Sequence, residues 1–315
     1  MKKAGWLVYR RKEAERNRNY IEWMMTEARR MNWVLMLVYR DEVVAGVMNG
    51  QPHVGWVNDA QTDVQGHGRS HARSSQLPDF VIMRTVDPVL TTHLEHLHIP
   101  VFNSSAVSRI CNNKAATYQY LQQFDVPMLN TAFCNTEDLK GTIRDEVSID
   151  GIRKRVCESD SAFVIKTVSG RGGKDVALIE TSNDLENFIS KYPDTDVVLQ
   201  QLGPNPGKDV RVFVVGKEIV AAVLRSSTSS DFRANFSLGG RAQRYILSAS
   251  EKDVVRRIMS HFEFGMVGID FLPDGGGGLL FNEIEDVVGS RTLSLVAPEI
   301  NIVRRYFRYI DERLS

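Results

Sequence analysis

Three carboxylates stand out by their setting: Asp270 in Gly265-Met-Val-Gly-Ile-Asp-Phe271, and Glu283 and Glu285 in Leu279-Leu-Phe-Asn-Glu-Ile-Glu285. Residues i and i+2 of a strand share one face, so Glu283 and Glu285 converge. If Pro273-Asp-Gly-Gly-Gly-Gly278 turns the chain into a hairpin, Asp270 lies on the neighbouring strand. Three carboxylates held together repel unless a cation sits among them. Oxygen-only ligation suits Mg²⁺ shared between carboxylates and nucleotide phosphates. The plain alternative is a solvated acidic edge, but Val267, Ile269, Leu280, Phe281 and Ile284 favour burial.

A second group surrounds Lys166, which lies in a strand-like run before a loop carrying Ser169, Gly170, Gly172 and Gly173. Such a loop lets successive backbone N–H groups close over phosphate oxygens while a lysine adds a point charge. The alternative is an ordinary hairpin with incidental basic residues. There is no P-loop: no GxxxxGK[ST] occurs, and Asp175 follows Lys174 where Ser or Thr is needed. No GxGxxG follows the first strand either. Arg211, two residues after Asp209, and Arg225 lie between the loop and the acidic cluster, followed by Asp231-Phe-Arg-Ala-Asn235. Planar guanidinium groups suit phosphate or carboxylate recognition, although each arginine alone reads as a surface charge.

These residues need elements to carry them. Gly5–Tyr9, a helical pattern through Tyr20, Trp23, Met24, Glu27 and Met31, and Trp33–Tyr39 read as β-α-β. A strand at 79–84, a helix at 87–97 and a strand from Ile99 complete an N-terminal doubly wound α/β domain over 1–104. The stretch 50–76 reads as an irregular loop. Its His67 and His71 are spaced i, i+4, but Gly66, Gly68 and Ser70 argue against a metal-binding helix. Helix is expected from Ser105 to Phe124. Strands follow at 162–168, 176–180, 197–201, 210–215, 218–224, 268–272 and 279–285, with helices between, giving an α+β remainder. Ser248-Ala-Ser-Glu251 is a capping box for the helix bearing Val254, Val255, Ile258, Met259 and Phe262. Ile302, Val303, Tyr306, Phe307 and Ile310 form a helical stripe that reads as core and could support a homo-oligomer.

Composition narrows the class. The 315 residues hold 39 Lys+Arg against 39 Asp+Glu, a balance that argues against a nucleic-acid partner. At 43% hydrophobic and 25% charged, the chain is of ordinary globular type, with no apolar run near the roughly 18 residues of a membrane span. Arg10, Arg11 and Lys12 cut short any signal-peptide core. Three distant cysteines, Cys111, Cys134 and Cys157, fit a reducing, cytoplasmic setting and read as packing residues. The first 40 residues carry ten Lys/Arg against four Asp/Glu, which suits an acidic partner or a solvated helix face equally.

Taken in order, these motifs resemble the ATP-grasp ligases, in particular the branch of the ribosomal-protein S6 glutamate ligase and the lysine-biosynthesis carrier-protein ligases. The resemblance runs from about residue 79 to 291. It implies an ATP-grasp fold behind an N-terminal pre-ATP-grasp domain (1–104), with a central subdomain (105–195) and a C-terminal one (196–315). It also implies ATP-dependent joining of a carboxylate to an amine through an acyl phosphate, with a small molecule or peptide, such as an amino acid, as substrate. Lys114 and Lys166 correspond to the phosphate lysines, Ser169, Gly170, Gly172 and Gly173 to the phosphate lid, and Gln200, Gln201 and Leu202 to the adenine hinge. Asp209, Arg211, Arg225 and Asn235 match the acyl-phosphate side. Asp270, Glu283 and Glu285 match ligands of two Mg²⁺, or Mn²⁺, ions. Two departures stand out: Glu285 replaces the usual Asn with no Pro-Gly after it, and Gln201 stands where Glu is frequent. The same fold also implies two alternatives, a non-catalytic nucleotide-binding module of synapsin type and a phosphotransferase.

Overall fold

The computed structural model describes residues 2–57, 77–144, 149–157, 161–228, 231–234 and 240–315. The chain forms two compact units, one of Met1–Arg109, Glu263–Met266 and Asn301–Ser315, the other of Ile110–Phe262 and Val267–Ile300.

The first unit opens with β1 (Ala4–Tyr9), α1 (Arg11–Arg16), α2 (Arg18–Arg30) and β2 (Val34–Tyr39). A hairpin of β3 (Val43–Met48) and β4 (Gln51–Trp56) follows. Asn49 and Gly50 turn it, both at positive φ (52° and 76°), as a two-residue hairpin loop requires. The irregular stretch expected from residue 50 is therefore strand as far as Trp56; His67 and His71 lie outside the described residues. Then come β5 (Phe80–Met83), α3 (Pro88–His96), β6 (Val101–Phe102) and α4 (Ser105–Cys111). The strands pair in parallel in the order β2-β1-β5-β6. Parallel neighbours need crossover helices, which the α1–α2 and α3 segments supply. Trp6, Val8, Val81, Met83, Leu90 and Leu94 are buried together in this unit.

The second unit holds two sheets. Its chain runs through α5 (Lys114–Leu121), β7 (Thr131–Asn135), α6 (Thr136–Arg144), α7 (Ile149–Cys157), β8 (Phe163–Thr167), β9 (Val176–Ile179), α8 (Ser182–Lys191) and β10 (Asp196–Gln201). These strands form an antiparallel sheet in the order β7-β10-β8-β9. Since β10 lies inside it, this sheet extends past residue 195. Phe163, Ile165, Val197 and Leu199 pack there against Leu185, Phe188 and Ile189 of α8.

The other sheet is built from β11 (Lys208–Val215), β12 (Glu218–Ser226), β13 (Arg241–Tyr245), β14 (Met266–Pro273) and β15 (Leu279–Glu285), in the order β13-β12-β11-β14-β15. Helices α9 (Ala249–Ser260) and α10 (Arg291–Val296) accompany it. The capping box holds: the Ser248 hydroxyl accepts from the Glu251 N–H at 3.2 Å while Glu251 accepts from the Ser248 N–H at 2.7 Å.

The last helix, α11 (Ile302–Arg313), belongs to the first unit. Its stripe of Ile302, Val303, Tyr306, Phe307 and Ile310 is buried, with Phe307 meeting the Trp33 ring at 5.7 Å. Buried Glu27 of α2 accepts from Asn301 at 2.9 Å and Arg304 at 3.1 Å, which pins the start of α11. No helix among the described residues is long and apolar enough to cross a membrane.

Candidate active site

The β14–β15 hairpin brings the three carboxylates together. Asp270 pairs with Glu283 and Gly268 with Glu285, and one oxygen of each acid lies within 4.8 Å of the others. The hairpin turns at the glycine run, where the Asp274 carboxylate accepts from the Gly276 and Gly278 N–H groups, both at 2.7 Å. Gly275 and Gly277 adopt φ of 84° and 95°, which only glycine takes without strain.

Two arginines from adjacent strands share the buried acid. Arg211 of β11 donates through Nε and Nη2 to the two oxygens of Asp270 (2.7 and 2.6 Å) and reaches Glu285 with Nη1 at 2.9 Å. Arg225 of β12 forks onto Asp209, its register partner, at 2.6 Å for both bonds, and adds a bond to Asp270 at 2.8 Å. Burial opposes charge on Asp270, but Arg211 and Arg225 outweigh it and hold the carboxyl below its usual range. For Glu285 burial prevails over Arg211, and its carboxyl is pushed up.

Gly268 makes this arrangement possible. A Cβ at that position would lie 2.7 Å from Cγ2 of Val288 and 3.3 Å from Cδ of Arg211. Gly268→Ala therefore displaces Arg211 and destabilises the fold by about 1–3 kcal/mol, the usual cost of overpacking, as thermal unfolding would measure. An unchanged transition would show that the site relaxes freely.

Lys166 is buried on β8, donating from Nζ to Oε1 of Gln200 at 2.7 Å and to Oδ1 of Asn282 at 2.9 Å. Gln200 donates in turn to the Tyr118 hydroxyl (2.7 Å) and to Thr131 (3.0 Å), and Tyr118 donates to the Asn282 carbonyl at 2.8 Å. Burial lowers the Lys166 ammonium to about 8; Glu283 resists the fall and Lys114 adds to it. The β14–β15 register passes from Asp270–Glu283 to Phe271–Phe281, leaving Asn282 as an extra residue. Such a bulge re-aims a side chain, and here Asn282 meets Lys166. Tyr118, Thr131 and Asn282 are members of the site that spacing alone did not mark.

Lys114 begins α5, whose N-cap Asn113 accepts from the Ala116 N–H at 3.0 Å. Its ammonium donates to the Gly170 carbonyl and lies 3.6 Å from Glu283. The loop after β8 turns at Gly172 and Gly173, with φ of 65° and 69°. Lys114, Gly170, Arg171, Glu283, Glu285 and Cys111 line a cavity of about 210 Å³. Burial, with Asp286 nearby, pushes the Cys111 thiol well up, which makes it a packing group rather than a nucleophile.

Not every expected residue gathers there. Gln201 and Leu202 are not among the cavity-lining residues, the former donating its N–H to the Asn130 carbonyl at 3.1 Å. Gln200 is turned inward onto Lys166 rather than outward as a hinge contact. Asp209 is bound to Arg225. Ser169 is not among the cavity-lining residues either. Asn235 lies outside the described residues.

The donor chemistry fits a hard divalent cation. Glu283 and Glu285 are partly exposed on the cavity, and Oδ1 of Asp270, which accepts one arginine bond where Oδ2 accepts two, keeps a lone pair. Among the described residues the donors are carboxylate oxygens alone, which matches Mg²⁺ or Mn²⁺.

Two sheets sharing a lysine, a glycine-rich loop and an acidic hairpin define the ATP-grasp class. The fold bears this out: a RimK-domain ATP-grasp protein from Sphaerobacter thermophilus superposes with a TM-score of 0.67 at 17% identity, covering 98% of each chain. D-alanine–D-alanine ligase from Bacillus anthracis, solved with ATP, superposes at 0.67 and 12% identity over 100% of this chain and 97% of its own. The family's sequence profile goes further, since that of the RimK-like ATP-grasp domain matches residues 111–310, and the chain belongs to that family. A probable alpha-L-glutamate ligase from Shewanella pealeana is 29% identical over 230 residues, or 72% of this chain. The match spans about half of that longer relative, 47% of its length.

Proposed function

We propose that the chain is an ATP-dependent carboxylate–amine ligase that forms an amide or peptide bond, with an amino acid or peptide as one substrate. In this reading a substrate carboxylate oxygen attacks the γ-phosphorus of ATP, ADP leaves, and an amine then attacks the acyl carbonyl and expels phosphate. The observation that carries it is the convergence of Lys114, Lys166, the glycine-rich loop and three carboxylates within one unit.

Lys114 and Lys166 neutralise phosphate oxygens, with Lys166 held in place by Gln200 and Asn282. The loop at Ser169–Gly173 covers the phosphates and excludes water. Gln201 and Leu202 border adenine, and Gln200 acts through Lys166. Arg211 and Arg225 stabilise charge on the acyl phosphate and on the tetrahedral intermediate, and Asn235 orients the transferred group. Asp209 aims Arg225 through its two-point pairing. Asp270, Glu283 and Glu285 would hold Mg²⁺, or Mn²⁺, in two sites. Bound there, the metal supplies positive charge that offsets the negative charge of the phosphoryl group. The segments 105–195 and 196–315 act as the central and C-terminal subdomains of the grasp, except that β10 pairs within the central sheet and α11 belongs to the first unit.

The experiment is phosphate release from ATP and Mg²⁺ across pools of acids and amines, with products weighed by mass spectrometry. Release that needs both partners, with a product equal to their sum minus water, supports the ligase. A second reading, a nucleotide-binding module without turnover, draws on one observation: Asp270 and Asp209 already engage both arginines. Tight ADP binding with no amine-dependent release in any pool would favour it.

A further inference from the structure

The loop Ser169-Gly-Arg-Gly-Gly-Lys174 contains three glycines and so has little conformational preference of its own. Its position is set by tethers from different parts of the second unit. Lys114 donates to the Gly170 carbonyl, and Arg233 donates through Nη1 to the Gly173 carbonyl at 2.6 Å. From the tip between them, Arg171 donates through Nη2 to Oδ1 of Asp286 at 3.2 Å. The base is fixed separately, by the Tyr192 hydroxyl on Asp175 at 2.8 Å.

The tethers differ in kind. Lys114 holds the loop with the same ammonium that faces Glu283 in the cavity, so an anion bound there competes for it. Asp286 is buried, whereas the Arg171 side chain is 46% exposed, so a buried acid receives a half-exposed arginine. Asp286 also follows Glu285 directly, which ties the loop tip to the strand that carries Glu283 and Glu285.

We propose that Arg171 and Asp286 form a latch that closes the glycine-rich loop over the cavity, with Asp286 as its positioning residue. The latch must part for a ligand to pass beneath the loop and then re-form, so it governs how fast that ligand leaves. The proposal rests on the ligase reading only for the choice of ADP as probe.

Two measurements on the full chain test it, using Arg171→Ala and Asp286→Asn. The first is limited digestion with a lysine-specific endoproteinase without nucleotide, following the nick after Lys174. Cleavage in this regime reports how often the segment opens. Both variants should be nicked about tenfold faster than the parent, consistent with a charge-assisted bond of which one partner is exposed. The second is stopped-flow release of a fluorescent ADP analogue with Mg²⁺, expected to quicken by about the same factor. Arg171 is on an exposed loop, so its variant folds even if Asp286→Asn does not. Parental nicking in Arg171→Ala overturns the latch, and so does parental release where ADP binds. If ADP fails to bind even the parent, the ligase reading fails while the proteolysis still decides the latch.

Discussion

Asp270→Asn should lower the thermal transition on the order of 10 °C with no ligand present. The reason lies in what the acid holds rather than in what it might ligate. Its two oxygens accept three bonds from Arg211 and Arg225, and all three side chains are buried. An amide in its place removes the charge that the two guanidiniums share, leaving Arg225 with Asp209 alone and Arg211 with Glu285 alone. Removing one partner of a buried ion pair costs about 3–5 kcal/mol. For a domain of this size each kcal/mol moves the midpoint by about 2–4 °C. If Asp270 served only as a metal ligand, the opposite should follow. Neutralising one of three crowded acids would then relieve repulsion and leave the metal-free midpoint unchanged or higher. Calorimetry without divalent ions separates the two outcomes. Adding Arg211→Gln should restore part of the loss, because the neighbours couple.

The second large effect concerns Lys166 and pH. Its ammonium titrates at about 8 in the folded protein and at its ordinary value of 10.5 when unfolded. Between these values the unfolded chain binds more protons, so this lysine makes the fold more stable as pH rises from 8 to 10.5. Below 8 both states are protonated and the burial penalty is constant. Phosphate binding runs the other way, since it needs the charged form. ADP affinity should therefore fall as pH climbs from 7 to 9. Binding near pH 8 should draw in about half a proton, because the anion restores the ammonium that burial had removed. Calorimetric titrations in buffers of different ionisation enthalpy would read this uptake directly. Lys166→Met should abolish that share of the uptake and weaken ADP binding roughly 10- to 100-fold, the range for a lost charge-assisted bond. Uptake that persists in the variant would assign the proton to another group.

Much of this was legible in the sequence. The strand runs alternating with helices, the glycine turn before Leu279 and the i, i+2 spacing of Glu283 and Glu285 all rest on short-range rules. Those rules survive folding, and the three acids meet as the spacing predicts. What escaped was long-range or cooperative. That Asn282 would turn to Lys166 depends on a bulge, which arises from pairing rather than from residue type. Gln200 reads from the sequence only as part of a hinge, and its bonds to Lys166, Tyr118 and Thr131 come from distant segments. The β3–β4 hairpin is a different case. Asn49-Gly50 between apolar runs was a signal within reach, masked by the polar stretch that follows it.

The placement of α11 bears on how the protein is made. Residues 1–109 leave the ribosome early, yet Phe307 and its neighbours, which complete their packing, are synthesised almost 200 residues later. At typical elongation rates of about 5–20 residues per second, that gap lasts roughly 10–40 s. During it Trp33 and the buried side of α2 lack their covering helix. The second unit can finish first, so the order of completion on the ribosome is the reverse of the order of the chain.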